Sequence, residues 1–469
     1  MMIKYRFGFF VKIANSFTAK YNKSIDGWKK RIVGRITIFS HPETHIKSVE
    51  GSRRSVVIIG SMYAVNGYDI DAMINELCSN ETSEIGSFLN EVSGRFALFV
   101  IGSKEEVSVY HDAFGSRSIF YSLRYPGFVA SHAGLMAEIF DISKDKNIIN
   151  FMSWDEYKSR TVKYLPGDLS LWEQVHPLIP NNFLDLESGT CSRYWPVQLK
   201  RIGSYGELFK SYDSHIKGLI NFLRNHSVLV GVTGGIDSRV VFAAMQKYNL
   251  KFSGFTWLGS YVEEKEIFPI NKIIDLFGIN HQFIDMSGDF NSEVAVVSGL
   301  NSGGYRGKSR LAALMYEKFH DSHSIFVRGY GGEILRGFYN ISKVPMRDFS
   351  ASSMSIAYSS SIRKVEPGVE YIKYVEQAFE IFRSRANYED MEKFCFEPAD
   401  IFYWEHRMGV WGSAMLNEHD SAVYSLVGMN GRALYECAFS LNDSERLSKK
   451  LLSKIANEYV DSLRDIPYF

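Results

Sequence analysis

The sequence predicts an α/β protein of two domains, residues 1–198 and 199–469. The first observation is length, since 469 residues exceed what one hydrophobic core usually organises. The second is that the first half reads as short strands in series with few helical patterns, which favours two packed sheets covered by helices. The third is that the second half alternates strands with helices, which indicates a parallel sheet.

The composition excludes several classes of protein. Hydrophobic residues make up 45% of the chain and charged residues 23%, which is typical of globular proteins. Lys plus Arg equals Asp plus Glu at 53 each, and this balance argues against a nucleic-acid surface, which would be basic. No apolar run reaches the ~18 residues of a membrane span. The four cysteines lack metal-ligand or redox spacing, so we expect reduced thiols and a cytoplasmic protein.

The strands of the first half follow one another along the chain. The basic, apolar start could pass for a signal peptide, but Lys12 interrupts its apolar run and no small-residue cleavage site follows, so a first strand is preferred. Helical patterns appear at about 69–78 and 83–91. Further apolar runs predict strands over residues 55–59, 94–101, 107–115, 118–121 and 127–131.

One stretch of the second half carries chemistry. A buried strand is predicted over Val228–Val232, then a glycine break, then a helix from about Asp237. Glycines let the backbone approach a phosphate, and free amides at a helix start face it. An acid among hydroxyls suits a pyrophosphate with Mg²⁺ on Asp237. The alternative is an ordinary turn with a capping Asp. The predicted cradle consists of Thr233, Gly234, Gly235, Asp237 and Ser238.

The remaining elements of the second half place this stretch in a parallel sheet. Because parallel sheets bind ligands at the carboxyl ends of their strands, the loops after the strands are the candidate site. Strands are predicted over residues 251–257, 281–285 and 324–328, and helices over 205–223, about 263–277 and 308–319.

Two segments of the first half carry a family resemblance. Gly94–Leu98 and His111–Tyr121 resemble the glutaminase half of class B asparagine synthetases, and residues 171–195 resemble that family's crossover into its second domain. The resemblance implies an N-terminal-nucleophile (Ntn) hydrolase-like αββα sandwich. An active glutaminase exposes an N-terminal Cys. This chain starts Met1-Met2-Ile3, and Ile59-Gly60-Ser61 replaces the family's Asn-Gly-Glu, so we expect glutamine hydrolysis to be lost.

The second half continues the resemblance. Thr233–Ser238 matches the family motif Ser-Gly-Gly-x-Asp-Ser with Thr for Ser, which keeps the hydroxyl. Phe255-Thr256-Trp257, Glu263–Glu266 and His281 follow in the family's order and spacing. The resemblance implies a pyrophosphatase-loop (PP-loop) synthetase domain with Thr256 at the nucleotide.

A second glycine-rich loop, Arg328–Tyr339, follows a predicted strand. The family reads Ser-Gly-(Asp/Glu)-Gly-x-Asp-Glu here, which implies nucleotide contacts at Gly329 and Gly331 and a metal ligand at Glu333. Tyr330 replaces an acid, as in β-lactam and carbapenam synthetases, where this Tyr and a Glu help to deprotonate the attacking amine. A phenol needs such a neighbour to act as a base. The alternative is that Tyr330 lines the pocket or stacks on a substrate.

Basic residues complete the predicted site. Residues 445–452 resemble the family's Lys-x-Leu-Leu-Arg, whose Lys contacts phosphates, and this implies Lys449, with Lys450 as the residue that could be confused with it. Arg336 and Arg407 are candidate carboxylate or phosphate clamps, or salt-bridge residues. For Arg239, the sequence leaves open a contact with phosphate and a role as a helix cap.

Together these features predict an ATP- and Mg²⁺-dependent ligase that adenylates a small-molecule or peptide carboxylate and passes the acyl group to an amine. Cyclisation of one molecule, as in β-lactam synthetases and lasso-peptide cyclases, is one version. The alternatives are an ammonia-dependent asparagine synthetase and a non-catalytic nucleotide-binding homologue. Partner proteins of a biosynthetic pathway and a homodimer both stay open. Residues 340–400 show no motif and are expected to form the substrate-specific wall.

Overall fold

The computed structural model describes residues 3–14, 23–80, 84–259, 264–305 and 309–468. These form a mixed α/β structure, with two antiparallel sheets from the first half of the chain and one parallel sheet from the second. The fold class is therefore α/β, as predicted. Met1, Met2 and Glu263, which entered the sequence argument, lie outside the described residues.

Twelve strands of the described first half build its two antiparallel sheets. They are β1 Phe9–Ile13, β2 Lys29–Val33, β3 Ile36–Ser40, β4 Ile46–Glu50, β5 Ser55–Ala64, β6 Val92–Ile101, β7 Val107–His111, β8 Phe120–Ser122, β9 Phe128–Ala130, β10 Val175–Pro177, β11 Asn182–Asp185 and β12 Cys191–Arg193. The helices of this half are α1 Ile70–Ser79, α2 Ile85–Asn90, α3 Ala133–Phe140, α4 Lys146–Ser153 and α5 Asp155–Lys158. One sheet has the order β10-β8-β9-β1-β3-β2 and the other β12-β11-β7-β6-β5-β4.

The two sheets pack face to face between helices. Alternate residues of β1, such as Phe9 and Val11, meet Phe99 of the second sheet in a buried core, as the period of two in a strand requires. Phe10 points the other way, into a core shared with α3. A third core joins the second sheet to α1 and α2. This is the predicted helix–sheet–sheet–helix layering, and its relation to Ntn hydrolases stays a prediction.

The second half contributes five further strands and the remaining helices. The strands are β13 Val228–Gly231, β14 Ser253–Leu258, β15 His281–Asp285, β16 Ile325–Arg328 and β17 Tyr424–Val427. The helices are α6 Tyr205–Leu223, α7 Ile236–Lys247, α8 Glu264–Phe277, α9 Ser292–Asn301, α10 Arg310–Phe319, α11 Gly332–Leu335, α12 Phe338–Ile341, α13 Ala351–Ser359, α14 Val369–Arg385, α15 Pro398–Phe402, α16 Ser413–His419, α17 Arg432–Phe439, α18 Asp443–Arg446 and α19 Lys449–Tyr459. A ten-residue π-helix, Tyr403–Gly412, joins α15 to α16.

The order of the parallel strands locates the ligand position expected in such a sheet. The five strands lie in the order β15-β14-β13-β16-β17, and each pair of adjacent strands is parallel. The chain runs outward from β13 through β14 to β15, and then returns to the other side of β13 as β16. Sheets of this kind bind ligands outside the carboxyl ends of the strands where the order reverses. That point lies between β13 and β16.

Buried ion pairs join the two halves. The guanidinium of Arg95 donates to both carboxylate oxygens of Asp420 at 2.6 and 2.7 Å, and both side chains are 0% exposed. Arg193 donates to Glu405 at 2.7 and 2.8 Å. Removing one partner would strand a buried charge, which costs several kcal/mol, so these pairs fix how the halves meet. The predicted boundary at 198/199 falls between β12 and α6 and stays a prediction.

Some predicted elements differ from the structure. The strand predicted over 107–115 ends at His111, because the Asp112 carboxylate accepts the amides of Ser116 and Arg117 and turns the chain. Strands β2 to β4 were not predicted. β2 is an edge strand whose Lys29, Lys30 and Arg31 are exposed, and edge strands lack the apolar pattern of central ones. Within the described ranges, no helix is long and apolar enough to cross a membrane.

Candidate active site

The loop after β13 opens at the start of α7. Gly235 is extended at the helix N-cap, and no side chain caps the amides of the first turn. The Thr233 hydroxyl lies 2.6 Å from that of Ser238 and accepts the Gly235 amide at 3.1 Å. The helix begins at Ile236, one residue before the predicted start. The uncapped amides and paired hydroxyls form the kind of cradle that binds an anion.

The loop after β16 touches that cradle directly. A Cβ on Gly329 would lie 2.7 Å from the carbonyl carbon of Asp237 and the amide nitrogen of Ser238. A Cβ on Gly332 would lie 2.4 Å from Asp237 Oδ1. Gly331 has a φ of +97°, which residues other than glycine rarely adopt. Glycine at these positions therefore lets two loops from neighbouring strands meet at one carboxylate.

An arginine that the sequence placed only as a candidate clamp holds that carboxylate. Arg336 donates from Nε and Nη2 to the two oxygens of Asp237, at 3.2 and 3.1 Å. The arginine side chain is 7% exposed and the aspartate side chain 24%. Two parallel hydrogen bonds fix the direction of the carboxylate.

Glu333 supplies a second acid beside Asp237. Burial, and then the charge of Asp237, raise the pKa of Glu333 to about 7, while Arg336 and Arg407 oppose the shift. Its Oε2 is buried and has no hydrogen-bond partner within the described part of the chain. Two carboxylates with one unsatisfied oxygen are a donor set that suits Mg²⁺ shared with substrate phosphates. The predicted pair Asp237 and Glu333 therefore fits the ion, although the described residues contain no cluster of three metal-ligating side chains.

The raised pKa of Glu333 makes a prediction about stability. Since the folded pKa of about 7 exceeds the ordinary 4.5, the contribution of Glu333 to wild-type stability falls as pH rises from about 4.5 to 7 and then levels off. Glu333→Gln cannot ionise. Without metal, we expect it to match wild type near pH 4.5 and to exceed its unfolding free energy at pH 8 by about 3 kcal/mol. Urea unfolding at the two pH values measures this.

The exposed Glu389 provides the control for that experiment. Glu389→Gln removes the same charge from a solvated position and should change the unfolding free energy by less than about 0.5 kcal/mol at either pH. Equal stabilities of wild type and Glu333→Gln at pH 8 would contradict the raised pKa.

Tyr330 stands in an aromatic wall to which both halves contribute. Its ring stacks on Phe114 of the first half, with centroids 6.3 Å apart and planes at 8°. The ring centroid of Trp411, which lies in the π-helix Tyr403–Gly412, is 6.3 Å from that of Tyr330. The guanidinium of Arg328 is 5.6 Å from the ring centroid and interacts with the phenol group. Packing is therefore visible for Tyr330, and a role as a base stays a prediction.

The π-helix Tyr403–Gly412 carries Arg407 into the same region. The Arg407 guanidinium lies 3.9 Å from the ring centroid of Trp411 and 5.3 Å from that of Tyr164. Its Nη1 is buried and has no partner among the described residues, and its charge acts on Glu333. π-Helical segments are rare and occur often at functional sites. Arg407 thus offers unused donors beside the two acids.

Lys449 and Lys450 are both exposed at the start of α19. That helix packs on α7, and its Leu452 Cδ1 lies 3.0 Å from where a Cβ on Gly332 would be. The structure thus brings the start of α19 to the candidate site, and a phosphate contact by Lys449 stays a prediction.

Two predicted residues have their polar groups engaged within the protein. Thr256 is 1% exposed, and its hydroxyl donates to the Val232 carbonyl and lies 2.9 Å from His281 Nε2. It ties β14 to the end of β13, and nucleotide binding by it stays a prediction. For Arg239, a phosphate contact and a helix cap were both open. Its guanidinium instead donates to the carbonyls of Ile466 and Pro467 at 2.6 and 2.7 Å.

A further acid faces the cradle from α8. A Cβ on Gly234 would lie 2.7 Å from Glu266 Oε2, so this carboxylate covers the glycine. The family resemblance includes Glu266 only as part of Glu263–Glu266. The contacts that it did not reach, Arg336 to Asp237 and Phe114 to Tyr330, link positions 99 and 216 residues apart, and no local pattern signals such pairs.

No protein-family model matches the chain, and no curated protein matches it. Among solved structures, a U34-tRNA thiolase from Methanococcus maripaludis is similar at 12% identity and a TM-score of 0.23, over 45% of this chain and 80% of the thiolase. An NMN synthetase from Francisella tularensis is similar at 12% identity and a TM-score of 0.20, over 41% of this chain and 96% of the synthetase.

A third similar structure is a glutamine-dependent NAD⁺ synthetase from Acinetobacter baumannii in complex with ADP. It shows 10% identity and a TM-score of 0.18, over 42% of this chain, and the chain spans 40% of the length of that synthetase. These three enzymes belong to the PP-loop ATP pyrophosphatase family, and they match at low identity over part of the chain. Likenesses at such TM-scores carry no argument about activity, so the function must be inferred from the site itself.

Proposed function

We propose that this protein activates a carboxylate with Mg-ATP and joins the resulting acyl group to an amine, without hydrolysing glutamine. A carboxylate oxygen of the substrate attacks the α-phosphorus of ATP, the bond to the β-phosphate oxygen breaks, and pyrophosphate leaves. The amine nitrogen then attacks the acyl carbon of the acyl-adenylate, loses a proton and releases AMP. The amine is ammonia, a second substrate, or an amine of the same molecule, in which case a ring closes.

One observation carries this proposal. The loops after β13 and β16, at the point where the strand order reverses, meet at Asp237 with the acid of Glu333 beside it. Uncapped amides and two hydroxyls suit a pyrophosphate group, and the acids suit its cation. Bound Mg²⁺ would neutralise phosphate charge and orient the leaving group. Arg336 is the protein's own counterion for Asp237.

The thiols support the absence of glutamine hydrolysis. All four cysteines are free. Burial raises the pKa of Cys78, and burial raises that of Cys191 to about 11. A catalytic cysteine needs a lowered pKa, since the thiolate is the nucleophile. Neither Cys78 nor Cys191, the two thiols of the first half, therefore has the lowered pKa of a nucleophile, and Ser61 stands where the resemblance would put a glutamine-binding carboxylate.

The decisive experiment is carboxylate-dependent exchange between ATP and labelled pyrophosphate. A library of amino acids, hydroxy acids and peptides is tested with Mg²⁺, and AMP, ADP and glutamate are measured in parallel. We expect exchange with one class of carboxylate, AMP as the nucleotide product and no glutamate from glutamine. Release of ADP in place of AMP would disprove adenylation. Nucleotide binding without exchange for any carboxylate would favour a non-catalytic homologue, and asparagine from aspartate and ammonia would favour an asparagine synthetase.

Tyr330→Phe tests the transfer step. The change keeps the ring that stacks on Phe114 and removes the phenolic hydroxyl, which interacts with Arg328. We expect pyrophosphate exchange to be preserved and amide formation to fall about tenfold, the value of one hydrogen bond to a charged group. Rapid-quench measurement of the two steps separates them. Unchanged amide formation would reduce Tyr330 to part of the pocket wall.

Lys449 and Lys450 form a matched pair for the phosphate contact. Both are exposed at the start of α19, so solvent screening limits the contribution of either charge. We expect Lys449→Met to lower kcat for exchange about tenfold and Lys450→Met to leave it within about twofold. The reverse order would assign the contact to Lys450, and no effect of either change would remove this helix from the mechanism.

A further inference from the structure

A cavity lies between the sandwich and the parallel sheet, away from the candidate active site. Its volume is about 320 Å³, and it reaches Ile325 and Tyr424, the first residues of β16 and β17. The candidate site follows the opposite, carboxyl end of β16. A four-residue strand separates the two by roughly 13 Å, so a ligand of this cavity would not compete with ATP.

Arg117 lines this cavity as a buried cation without a carboxylate of its own. It is 1% exposed, donates to the Phe7 carbonyl, and lies 5.2 Å from the centroid of Phe9. Its Nε has no hydrogen-bond partner within the described part of the chain. Arg95 nearby differs, because Asp420 neutralises it through two short hydrogen bonds. Burial, and then the charge of Arg95, lower the pKa of Arg117 to about 10, while Tyr424, Asp420 and Asp112 oppose the shift.

The other lining groups leave the cavity positive. Its one acid among the described lining residues is Glu43, which accepts hydrogen bonds from Arg6 at 2.9 and 2.7 Å. The charges of Glu43 and Arg6 cancel each other, so Arg117 leaves the lining with a net positive charge. His45, His320 and His323 add ring nitrogens to the walls. A buried cation with no carboxylate bonded to it is costly, and a folded protein that keeps one beside a cavity has a reason to bind an anion there.

We propose that this cavity binds a small oxyanion, a carboxylate or a phosphate group, on the guanidinium of Arg117. Guanidinium groups bind such planar or tetrahedral oxyanions through paired hydrogen bonds. The volume matches the lower range of small-molecule sites. Since Arg117 belongs to the sandwich while His323 and Ile325 belong to the second half, the ligand bridges the two halves and stabilises their contact. The proposal does not depend on the ligase activity.

Thermal unfolding with titrated oxyanions tests the proposal. Inorganic phosphate, acetate and succinate are added at constant ionic strength, with chloride as the reference because salt alone screens charges. We expect a saturable rise in Tm with phosphate or with the carboxylates, and the better anion identifies the chemical source. Arg117→Met should weaken the apparent affinity about tenfold, and Arg117→Lys should weaken it less, because it keeps a point charge. An identical titration for wild type and Arg117→Met would overturn the proposal.

A second variant avoids the buried position. His323 is exposed at the edge of the cavity with a φ of +48°, a conformation that Asp tolerates. His323→Asp adds a negative charge next to Glu43 and should weaken oxyanion binding at least about threefold. Asn249→Asp is the control, since Asn249 is exposed with a φ of +50° and does not line the cavity. Equal weakening by both changes, or no saturable effect in wild type, would refute the site.

Discussion

Asp237→Asn is expected to lower ATP–pyrophosphate exchange by at least about 10³-fold, because it removes a charge around which both loops are built. The carboxylate accepts two hydrogen bonds from Arg336 and lies against Gly332 and next to Glu333. Asparagine keeps the shape of the side chain but cannot balance Arg336 or bind Mg²⁺ as an anion does. Steady-state exchange over a range of Mg²⁺ concentrations measures the effect.

Asp275 supplies the matched control for this substitution. It is exposed on α8 in the same half of the protein. Asp275→Asn should leave exchange within about twofold, as expected for a surface change. Circular dichroism and urea unfolding of both variants separate a catalytic loss from a folding defect. A folded Asp237→Asn protein that retains more than about one third of wild-type exchange would remove Asp237 from the proposed chemistry.

The elements that the sequence predicted best are those whose local signals agree with the fold. The helix predicted over 205–223 is present as α6 Tyr205–Leu223, where Ser204 and Glu207 form a capping box at its start. The strand predicted over 281–285 is present with the same bounds as β15. For α6 the apolar period and the cap signal coincide, and long-range contacts do not change the outcome.

The site was predictable only in part, and the reason is physical. A glycine-rich loop after a strand is a local pattern, so the two loops could be located from the sequence. The role of Glu333 as a metal ligand rests on the family resemblance and stays a prediction. The bidentate pairing of Arg336 with Asp237 and the stacking of Phe114 on Tyr330 arise from tertiary packing. Arg407 projects from a π-helix, and its unusual geometry leaves no simple period in the sequence. Long-range packing of this kind decides which predicted groups meet.

Gly332→Ala should separate positioning from stability. Glycine at this position lets α11 start against Asp237, since an added Cβ would lie 2.4 Å from Oδ1 and 3.0 Å from side-chain atoms of Leu452 and Met429. All three are ends of side chains and can move, so we expect the unfolding free energy to fall by only about 1 kcal/mol. The carboxylate of Asp237 must turn away, and displacement of a catalytic group by about 1 Å costs about 10²-fold in rate.

Gly206→Ala controls for the effect of a methyl group alone. Gly206 is exposed in the first turn of α6, and the nearest atom to its added Cβ would be Ser204 Oγ at 3.9 Å. Alanine there should raise the unfolding free energy by about 0.5–1 kcal/mol and leave exchange unchanged. If Gly332→Ala kept wild-type exchange, the carboxylate of Asp237 would not need its observed direction. The pairing of Asp237 with Arg336 would then only hold the two loops together. It would have no part in binding the nucleotide, because a displaced carboxylate could not both pair with Arg336 and bind Mg-ATP.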